Sequence, residues 1–388
     1  MNKQIEQLLT RGVEEIIDGK NLKEKLLSGE KLRVKLGIDP TSKNIHLGRT
    51  IPLLKLRDFQ RLGHKIVFII GDFTGLIGDT SDKDGERPML SEESINENLQ
   101  SYIKQASKII NIEEAEIYYN SKWLSKLSYM EIGRQADIFS LNEFISRDNI
   151  NRRLTIGKRV SLRELLYPLM QGYDSVQIKA DVELGGTDQR FNLLTGRDLQ
   201  KLYKQEPQDI MTNPIIEGLD GRKMSSSYGN TVNLFDSPND MFGKIMSMKD
   251  DFIIKYFTLL TRVDIDIIKG YERDIKLGKN PRSYKILLAG EMVRMYHSEE
   301  DSHLAEDYFI KTISNKEVPK KILEFTSSKR DLVTIMTESG LSTSNSDARR
   351  VIQQGGVKVN SKVVSDPGFV LSPGDVLQKG KINFIKIL

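Results

Sequence analysis

The chain of 388 residues contains no cysteine, one tryptophan and four histidines. Without cysteine it has no disulfide bonds and no thiolate zinc site. No apolar run approaches the length of a membrane span, and the N-terminus lacks the apolar stretch of a signal peptide, so we expect a cytoplasmic protein with no membrane partner. Charged residues make up 29% and apolar residues 38%, which is typical of a globular protein of two or three domains.

The positive charge is unevenly distributed along the chain. The net charge is +4, and residues 341–388 alone carry seven basic and three acidic side chains, so the rest of the chain is balanced. A basic module on a neutral body predicts a polyanionic partner such as a nucleic acid. A solvated lysine-rich surface explains the charge alone equally well.

Hydrophobic periodicity predicts an α/β architecture followed by helices and a small mixed module. Strands at Arg33–Ile38 and Lys65–Gly71 flank a helix at 48–62, which makes a βαβ unit of a parallel sheet. The remaining predicted segments are helices at 4–29, a helical insertion at 90–160, a strand at 175–184, a helix at 189–203, helices from 221 to about 325, and two short helices followed by short strands at the end.

Two short polar segments carry the residue types that nucleotide chemistry needs. Asp39-Pro40-Thr41 leads to His46-Leu47-Gly48-Arg49 at the start of the first βαβ helix, and Lys223-Met224-Ser225-Ser226-Ser227 lies far along the chain. A helix N-terminus behind a parallel strand offers N–H groups to phosphate, and Gly48 permits close approach of a ligand. Lys223 and the serine hydroxyls can neutralise charge on a leaving group. A lone histidine of this kind is more often a helix cap, so the prediction depends on both segments together.

A third segment predicts the wall of a pocket. Tyr167, Gln171 and Asp174 recur at helical spacing and share one face, with apolar residues around them. A solvated polar face is the alternative interpretation.

With these residues in hand, the chain resembles the class I aminoacyl-tRNA synthetases. The segments Leu166–Asp174, Leu76–Asp79 and Gly185–Gln189 narrow the resemblance, which covers essentially the whole chain, to bacterial tyrosyl-tRNA synthetases. The resemblance implies a Rossmann-like parallel-sheet catalytic domain at 1–220 with the helical insertion at about 90–160. It also implies an α-helical anticodon-binding domain with the Lys223 loop at 221–326 and a small α+β S4 RNA-binding domain at 331–388.

The resemblance also implies roles for individual residues. The expected catalytic residues, which act on the phosphates, are Thr41, His46, Arg49, Lys83, Arg87, Lys223, Ser226 and Ser227. The expected ATP-binding residues are Asp39, Gly48, Gly186, Asp188 and Met224. The expected tyrosine-binding residues are Gly37, Asp79, Tyr167, Gln171, Asp174 and Gln189, among which Asp174 accepts from the phenolic hydroxyl.

Three positions depart from the family pattern. Arg49 replaces a histidine and Ser226 replaces a second lysine, so we expect Lys83 and Arg87 to complete the pyrophosphate clamp. Lys35 stands where many family members have a tyrosine that touches the phenol. This chain resembles a branch that lacks that tyrosine, so we expect phenol recognition to rest mainly on Asp174.

The basic tail resembles an S4 motif over Leu341–Asn360, with Arg349, Arg350 and Lys358 as its expected RNA-binding residues. The implied activity is ATP-dependent activation of L-tyrosine and its transfer to tRNA(Tyr) by a homodimer, with Mg²⁺ on the ATP phosphates and no tightly bound protein metal. The alternatives are a tryptophanyl enzyme, which Asp174 and the tail disfavour, a catalytically silent RNA-binding protein, and a small-molecule adenylyltransferase, which needs no RNA module.

Overall fold

The computed structural model describes residues 2–79, 91–314, 323–327, 329–380 and 383–388. By their contacts these residues divide into two compact units, Met1–Ser237 with Lys244–Tyr296, and Pro238–Gly243 with His297–Leu388. No helix in the described ranges is both long enough and apolar enough to cross a membrane.

The first unit is built around a six-stranded sheet. Its strands are β1 (Glu15–Ile17), β2 (Arg33–Ile38), β3 (Lys65–Ile70), β4 (Glu116–Tyr119), β5 (Val182–Gly186) and β6 (Asp209–Asn213). They lie in the order β1-β6-β5-β2-β3-β4 and all neighbours are parallel except the pair β1–β6. The predicted α/β class with a Rossmann-like parallel sheet is confirmed. The strand β3 is buried along nearly its whole length, as its continuous apolar run indicates, and β6 is equally buried although it carries polar residues.

The helices that precede residue 297 belong to this first unit, except that Pro238–Gly243 of one helix belongs to the second. They are α1 (Asn2–Thr10), α2 (Gly19–Ser28), α3 (Leu47–Arg61), α4 (Thr74–Ile77), α5 (Glu92–Ala106), α6 (Ser121–Leu124), α7 (Tyr129–Asp137), α8 (Leu141–Ile145), α9 (Asp148–Thr155), α10 (Leu162–Ile178), α11 (Arg190–Leu202), α12 (Pro238–Ser247), α13 (Ile253–Leu260), α14 (Ile265–Lys276) and α15 (Pro281–Tyr296). Short 3₁₀ turns lie at Thr187–Gln189, Ser226–Tyr228 and Asp250–Phe252.

Four predictions of secondary structure were wrong in part. The helical segment predicted to about residue 325 ends in a short strand at Leu323–Phe325. The strand expected over 175–184 is the last turn of α10 followed by β5, and Lys179 separates them with a left-handed φ of 51°. Its alternating apolar residues fit a buried helix end as well as a strand, because short apolar runs do not distinguish the two periods. The helical insertion at 90–160 contains β4, and the helical segment at 4–29 contains β1. Both are short edge strands, which few residues specify.

The helix α10 begins where its sequence demands. Ser161 accepts a hydrogen bond from the backbone of the first turn, and the Glu164 carboxylate accepts one from the backbone N–H of Ser161, which makes a capping box. Glu164 also forms a buried ion pair with Arg153, with an Nη1–Oε2 distance of 2.5 Å. This helix therefore has a fixed start, and its inward face contacts Lys35 of β2 and Glu183 of β5.

The second unit carries a five-stranded sheet in the order β7-β11-β10-β8-β9. Its strands are β7 (Leu323–Phe325), β8 (Val357–Val359), β9 (Lys362–Val363), β10 (Val376–Lys379) and β11 (Asn383–Ile387), and its helices are α16 (Glu299–Phe309), α17 (Leu332–Glu338) and α18 (Asn345–Gln353). A single π turn at Ile310–Ser314 extends α16. The apolar faces of α17 and α18 pack on this sheet in one buried cluster. The predicted pair of helices followed by short strands is confirmed.

Candidate active site

A cavity of about 650 Å³ opens at the carboxyl ends of β2, β3, β5 and β6. Ligands of open parallel sheets bind at this edge, where neighbouring strands connect in opposite directions. The structure brings together nearly all of the predicted site residues in the lining of this cavity. They are Gly37, Asp39, Thr41, His46, Gly48, Arg49, Asp79, Tyr167, Gln171, Asp174, Gly186, Asp188, Gln189, Lys223, Met224, Ser226 and Ser227.

The two nucleotide segments are in direct contact. His46 is the N-cap residue of α3, but its side chain makes no capping hydrogen bond. The backbone N–H of Gly48 points at the sulfur of Met224, at an N–Sδ distance of 3.2 Å. A Cβ on Gly48 would lie 3.1 Å from the His46 ring and 3.4 Å from Ile216. The glycine therefore keeps the helix N-terminus open to a ligand.

The Lys223 segment lies across the mouth of the cavity. The Lys223 ammonium forms an ion pair with the Asp188 carboxylate, with an Nζ–Oδ2 distance of 2.8 Å, and both side chains are partly exposed. Ser226 and Ser227 are exposed. The Asn230 amide donates to the backbone carbonyl of Lys223 at 3.1 Å and braces the turn. A cation and two hydroxyls thus stand at the open end of the cavity.

Arg49 has a partner that the sequence did not indicate. One guanidinium nitrogen donates to the hydroxyl of Tyr102 on α5, and the other lies 3.3 Å from the Thr41 hydroxyl. Tyr102 is fully buried, and its hydroxyl is also 3.2 Å from that of Ser42. Arg49 is therefore held against the cavity wall beside Thr41.

Asp39 contacts the polar face of α10 through Tyr167. Its carboxylate accepts hydrogen bonds from the Tyr167 hydroxyl at 2.8 Å and from the Thr74 hydroxyl at 2.7 Å. A Cβ on Gly71 would lie 2.0 Å from Asp39 Oδ1, so only glycine fits at the end of β3. Burial and the nearby carboxylates of Asp39 and Asp79 raise the pKa of Tyr167 well above its ordinary value, so its hydroxyl stays a donor.

Asp174 is a buried carboxylate with two fixed donors. Trp123 Nε1 donates to Oδ1 at 2.7 Å, and Asn120 Nδ2 donates to Oδ2 at 3.2 Å. Burial raises the pKa of Asp174 to about 7, while Lys35, Trp123 and Asn120 oppose that rise. Sequence reasoning missed both donors. The sequence holds no usable signal for them, because both follow the edge strand β4, which was not predicted.

Lys35 does not line the cavity. It is fully buried and its ammonium lies 2.8 Å from Oε1 of Glu183, which is also buried. Glu183 in turn accepts from the Gln171 amide at 3.1 Å, and Asn192 donates to the other end of that amide at 3.0 Å. Sequence reasoning missed Glu183 and treated Lys35 only as the absence of a tyrosine.

The other predicted residues lie elsewhere. Lys83 and Arg87 fall outside the described residues. Arg349 and Arg350 on α18 and Lys358 on β8 are exposed on the second unit, where Arg350 pairs with Asp347 at 2.6 Å. Within the described ranges, no group of three or more His, Cys, Asp or Glu side chains could hold a metal ion.

The sheet, the cavity at its switch point and the two joined nucleotide segments define a class I aminoacyl-tRNA synthetase. The family of class I tRNA synthetases for W and Y matches residues 27–314, and the S4 domain family matches residues 332–377. The tyrosine–tRNA ligase of Mannheimia succiniciproducens is 44% identical over 98% of this chain and 97% of its own length. That of Thermotoga maritima is 43% identical over 98% and 96%. The chain belongs to the family of bacterial tyrosine–tRNA ligases.

Solved structures support the fold independently. A C-terminally truncated mitochondrial tyrosyl-tRNA synthetase of Aspergillus nidulans has a TM-score of 0.66 at 20% identity, covering 78% of this chain and 92% of that one. The tyrosyl-tRNA synthetase of Archaeoglobus fulgidus in complex with L-tyrosine has a TM-score of 0.63 at 23% identity, covering 79% and 99%.

Proposed function

We propose that this cavity activates L-tyrosine with ATP and then transfers tyrosine to the terminal adenosine of tRNA(Tyr). A carboxylate oxygen of tyrosine attacks the α-phosphorus, the bond to pyrophosphate breaks, and a mixed anhydride forms. A ribose hydroxyl of the tRNA then attacks the carbonyl carbon and releases AMP. The observation that carries the proposal is the meeting of both nucleotide segments and the polar face of α10 in one cavity. Positioning and electrostatics supply most of the rate.

The open end of the cavity receives ATP. Thr41, His46 and Arg49 donate to the departing pyrophosphate, and Lys223 with the hydroxyls of Ser226 and Ser227 neutralises its charge. The nucleoside lies against Gly48, Met224, Gly186 and Asp188, with Asp39 below it. Lys83 and Arg87 complete the clamp, and Mg²⁺ arrives with the ATP phosphates, since carboxylates and phosphates are its usual ligands.

The closed end of the cavity receives the amino acid. Asp79, Tyr167 and Gln171 hold the ammonium group, Gln189 lies near the carboxylate, and the phenolic hydroxyl donates to Asp174. Gly37 leaves room for the substrate, because a Cβ at that position would meet no atom within 4 Å. Phenylalanine is disfavoured because it leaves a buried carboxylate without its third donor.

The basic surface of the second unit binds the tRNA. Arg349, Arg350 and Lys358 are exposed and can contact phosphates, whose contribution to affinity depends on salt. Lys358→Ala should weaken tRNA binding and lower the salt slope by about one, while tyrosine activation stays unchanged. Lys386→Ala is the matched control, because Lys386 already pairs with Glu324 at 3.1 Å. Equal tRNA affinities for the two variants would contradict the role of Lys358.

We also propose a cytoplasmic homodimer whose interface is formed by the helical insertion, and a three-part division at 1–220, 221–326 and 331–388. Large apolar side chains stand exposed on α7–α10 and the loop before α10, which is typical of an interaction surface. Sedimentation equilibrium should give a dimer, and charged substitutions at these positions should give a monomer. The exposed residues are Tyr129, Met130, Ile138, Leu141, Leu154, Ile156 and Leu162.

Amino-acid-dependent exchange of labelled pyrophosphate into ATP tests the activation step. Tyrosine should support exchange, while tryptophan and phenylalanine should support little. Exchange with tryptophan alone would identify a tryptophanyl enzyme. Failure of every amino acid would leave a silent RNA-binding protein.

A further inference from the structure

Two charged side chains are buried against the face of α10 that carries Tyr167, Gln171 and Asp174. Lys35 on β2 and Glu183 on β5 are register partners in neighbouring parallel strands, and neither lines the cavity. Their side chains are 0% and 1% exposed. Two charges removed from water are expensive unless they are paired, and even a well-paired ion pair often adds no stability over apolar residues of the same size. Fold stability alone therefore does not explain why two charges are buried at this position.

Both side chains of the pair form hydrogen bonds with the same turn of α10. The Lys35 ammonium donates to the backbone carbonyl of Gln171 at 2.9 Å and to the Ser175 hydroxyl at 2.7 Å. The Glu183 carboxylate accepts from the Gln171 amide at 3.1 Å and from Ser175 at 3.0 Å. Asn192 donates to the remaining atom of the Gln171 amide. The nitrogen and the oxygen of the Gln171 amide therefore both have a hydrogen-bond partner, and Asp174 lies on the same turn.

We propose that Lys35 and Glu183 act as a positioning pair for the amino-acid site, fixing the Gln171 amide and placing a cation behind the Asp174 carboxylate. The inference rests on the proposed function, because it assigns the pair to tyrosine recognition. The groups that face Asp174 are Lys35 on β2, Glu183 on β5, Asn120 and Trp123 at α6, and Tyr167 on α10 itself. Lys35 lowers the pKa of Asp174 and Glu183 raises it, and the lysine has the larger effect.

The test uses a double variant that keeps the packing and removes both charges, Lys35→Met with Glu183→Gln. Glutamine can still accept hydrogen bonds from the Ser175 hydroxyl and the Gln208 amide, which both donate to Glu183 in this structure. We expect a KM for tyrosine raised on the order of tenfold, with kcat changed less and the KM for ATP unchanged. Trp123 is the only tryptophan of the chain and donates to Asp174. Its fluorescence therefore reports the charge of Asp174 independently of any measurement of enzyme activity. The pH inflection of its fluorescence should move to higher pH in the double variant.

The single variant Glu183→Gln gives a second measurement with the opposite sign. It removes the carboxylate that raises the pKa of Asp174 and leaves the cation in place, so the Trp123 inflection should move to lower pH. Arg153→Met with Glu164→Gln is the matched control. That pair is equally buried at the first turn of α10, and its loss should leave the inflection and the KM for tyrosine unchanged.

The results separate the two proposals. If the Trp123 inflection and the KM for tyrosine are unchanged in folded Lys35 and Glu183 variants, the positioning role is overturned and the proposed function survives. Shifts of equal size in the Arg153 control would overturn it as well, because the effect would then be general loosening of α10. If the unmodified protein shows no tyrosine-dependent exchange, the proposed function fails and the positioning role fails with it.

Discussion

The two ends of the cavity are built in different ways. At the closed end, Asp174 is buried and accepts hydrogen bonds from Trp123 and Asn120. Trp123 packs against Tyr118, and Asn120 is buried and also donates to the Thr74 hydroxyl. At the open end, Lys223 and Asp188 are partly exposed and form an ion pair with each other. One end is therefore assembled before any ligand arrives, whereas the other holds its cation in a contact that a phosphate can replace.

Because of this difference, we expect the closed end to determine substrate specificity and the open end to determine the reaction rate. A buried acceptor discriminates because a ligand that lacks the matching donor leaves it unsatisfied in a medium of low polarity. A half-exposed cation discriminates little between amino acids, but it stabilises charge that develops on pyrophosphate. We therefore expect substitutions at the open end to change rates for every substrate, and substitutions at the closed end to change the choice of substrate.

The largest effect should come from Lys223→Met. Losing a well-placed cation at a developing charge costs a factor of about 10² to 10³ in the activation rate. Single-turnover release of pyrophosphate measures this, and tyrosine binding should be nearly unchanged. Lys201→Met, at an exposed lysine of α11 that pairs with Asp198 at 3.0 Å, is the matched control. A loss confined to tyrosine affinity would remove the distinction between the two ends.

Asp174→Asn should act on the choice of substrate. The variant loses the charged acceptor that we propose for the phenol, so the preference for tyrosine over phenylalanine should fall roughly 10- to 100-fold. Pyrophosphate exchange with both amino acids gives the ratio. An unchanged ratio would place the aromatic ring elsewhere.

The stability of the same variant provides its control. Because the pKa of Asp174 is raised from 3.8 to about 7 in the folded protein, its contribution to stability is present at low pH and is lost as pH rises through about 7. Asparagine avoids that loss. Asp174→Asn should therefore unfold at a temperature at least as high as the wild type above about pH 7, so that any lost discrimination cannot be attributed to unfolding.

The pH dependence of substrate binding should differ between the two amino acids. The pKa of Asp174 is about 7, so its carboxyl becomes neutral as the pH falls below that value. The proposed charged acceptor for the phenol is then lost. Tyrosine affinity should then fall up to about tenfold per pH unit, while phenylalanine affinity should rise. Equilibrium titration monitored by Trp123 fluorescence follows both. Parallel curves for the two amino acids would show that Asp174 does not sense the phenol.

The sequence was sufficient to predict those parts of the fold whose residues follow a local helical or strand periodicity. The strands β2 and β3, the helix between them and the inward face at Tyr167, Gln171 and Asp174 were predictable, because periodicity and spacing report local geometry. The edge strands β1 and β4 were not, because an edge strand of three or four residues is specified by the sheet that receives it.

The contacts between distant segments were also beyond local reasoning. Nothing near Lys35 in sequence indicates that its partner is Glu183, since the pairing follows from strand order. Tyr102 is separated from Arg49 by a strand and a helix, and it meets the arginine only because α5 packs near the N-terminus of α3. The helical pattern predicted for 90–160 does not indicate this hydrogen-bond partner.

The smallest effect should come from Tyr102→Phe at the open end. The hydroxyl that receives a hydrogen bond from Arg49 is removed, while the Thr41 hydroxyl still holds the guanidinium at 3.3 Å. We expect a loss of about threefold to tenfold in the rate of pyrophosphate release, with the KM for tyrosine unchanged. Tyr203→Phe is the matched control, because its hydroxyl contacts Gln135 at 3.0 Å and does not line the cavity. If Tyr102→Phe instead altered the preference between tyrosine and phenylalanine, the two ends would be coupled through α5 and could not be treated as separate devices.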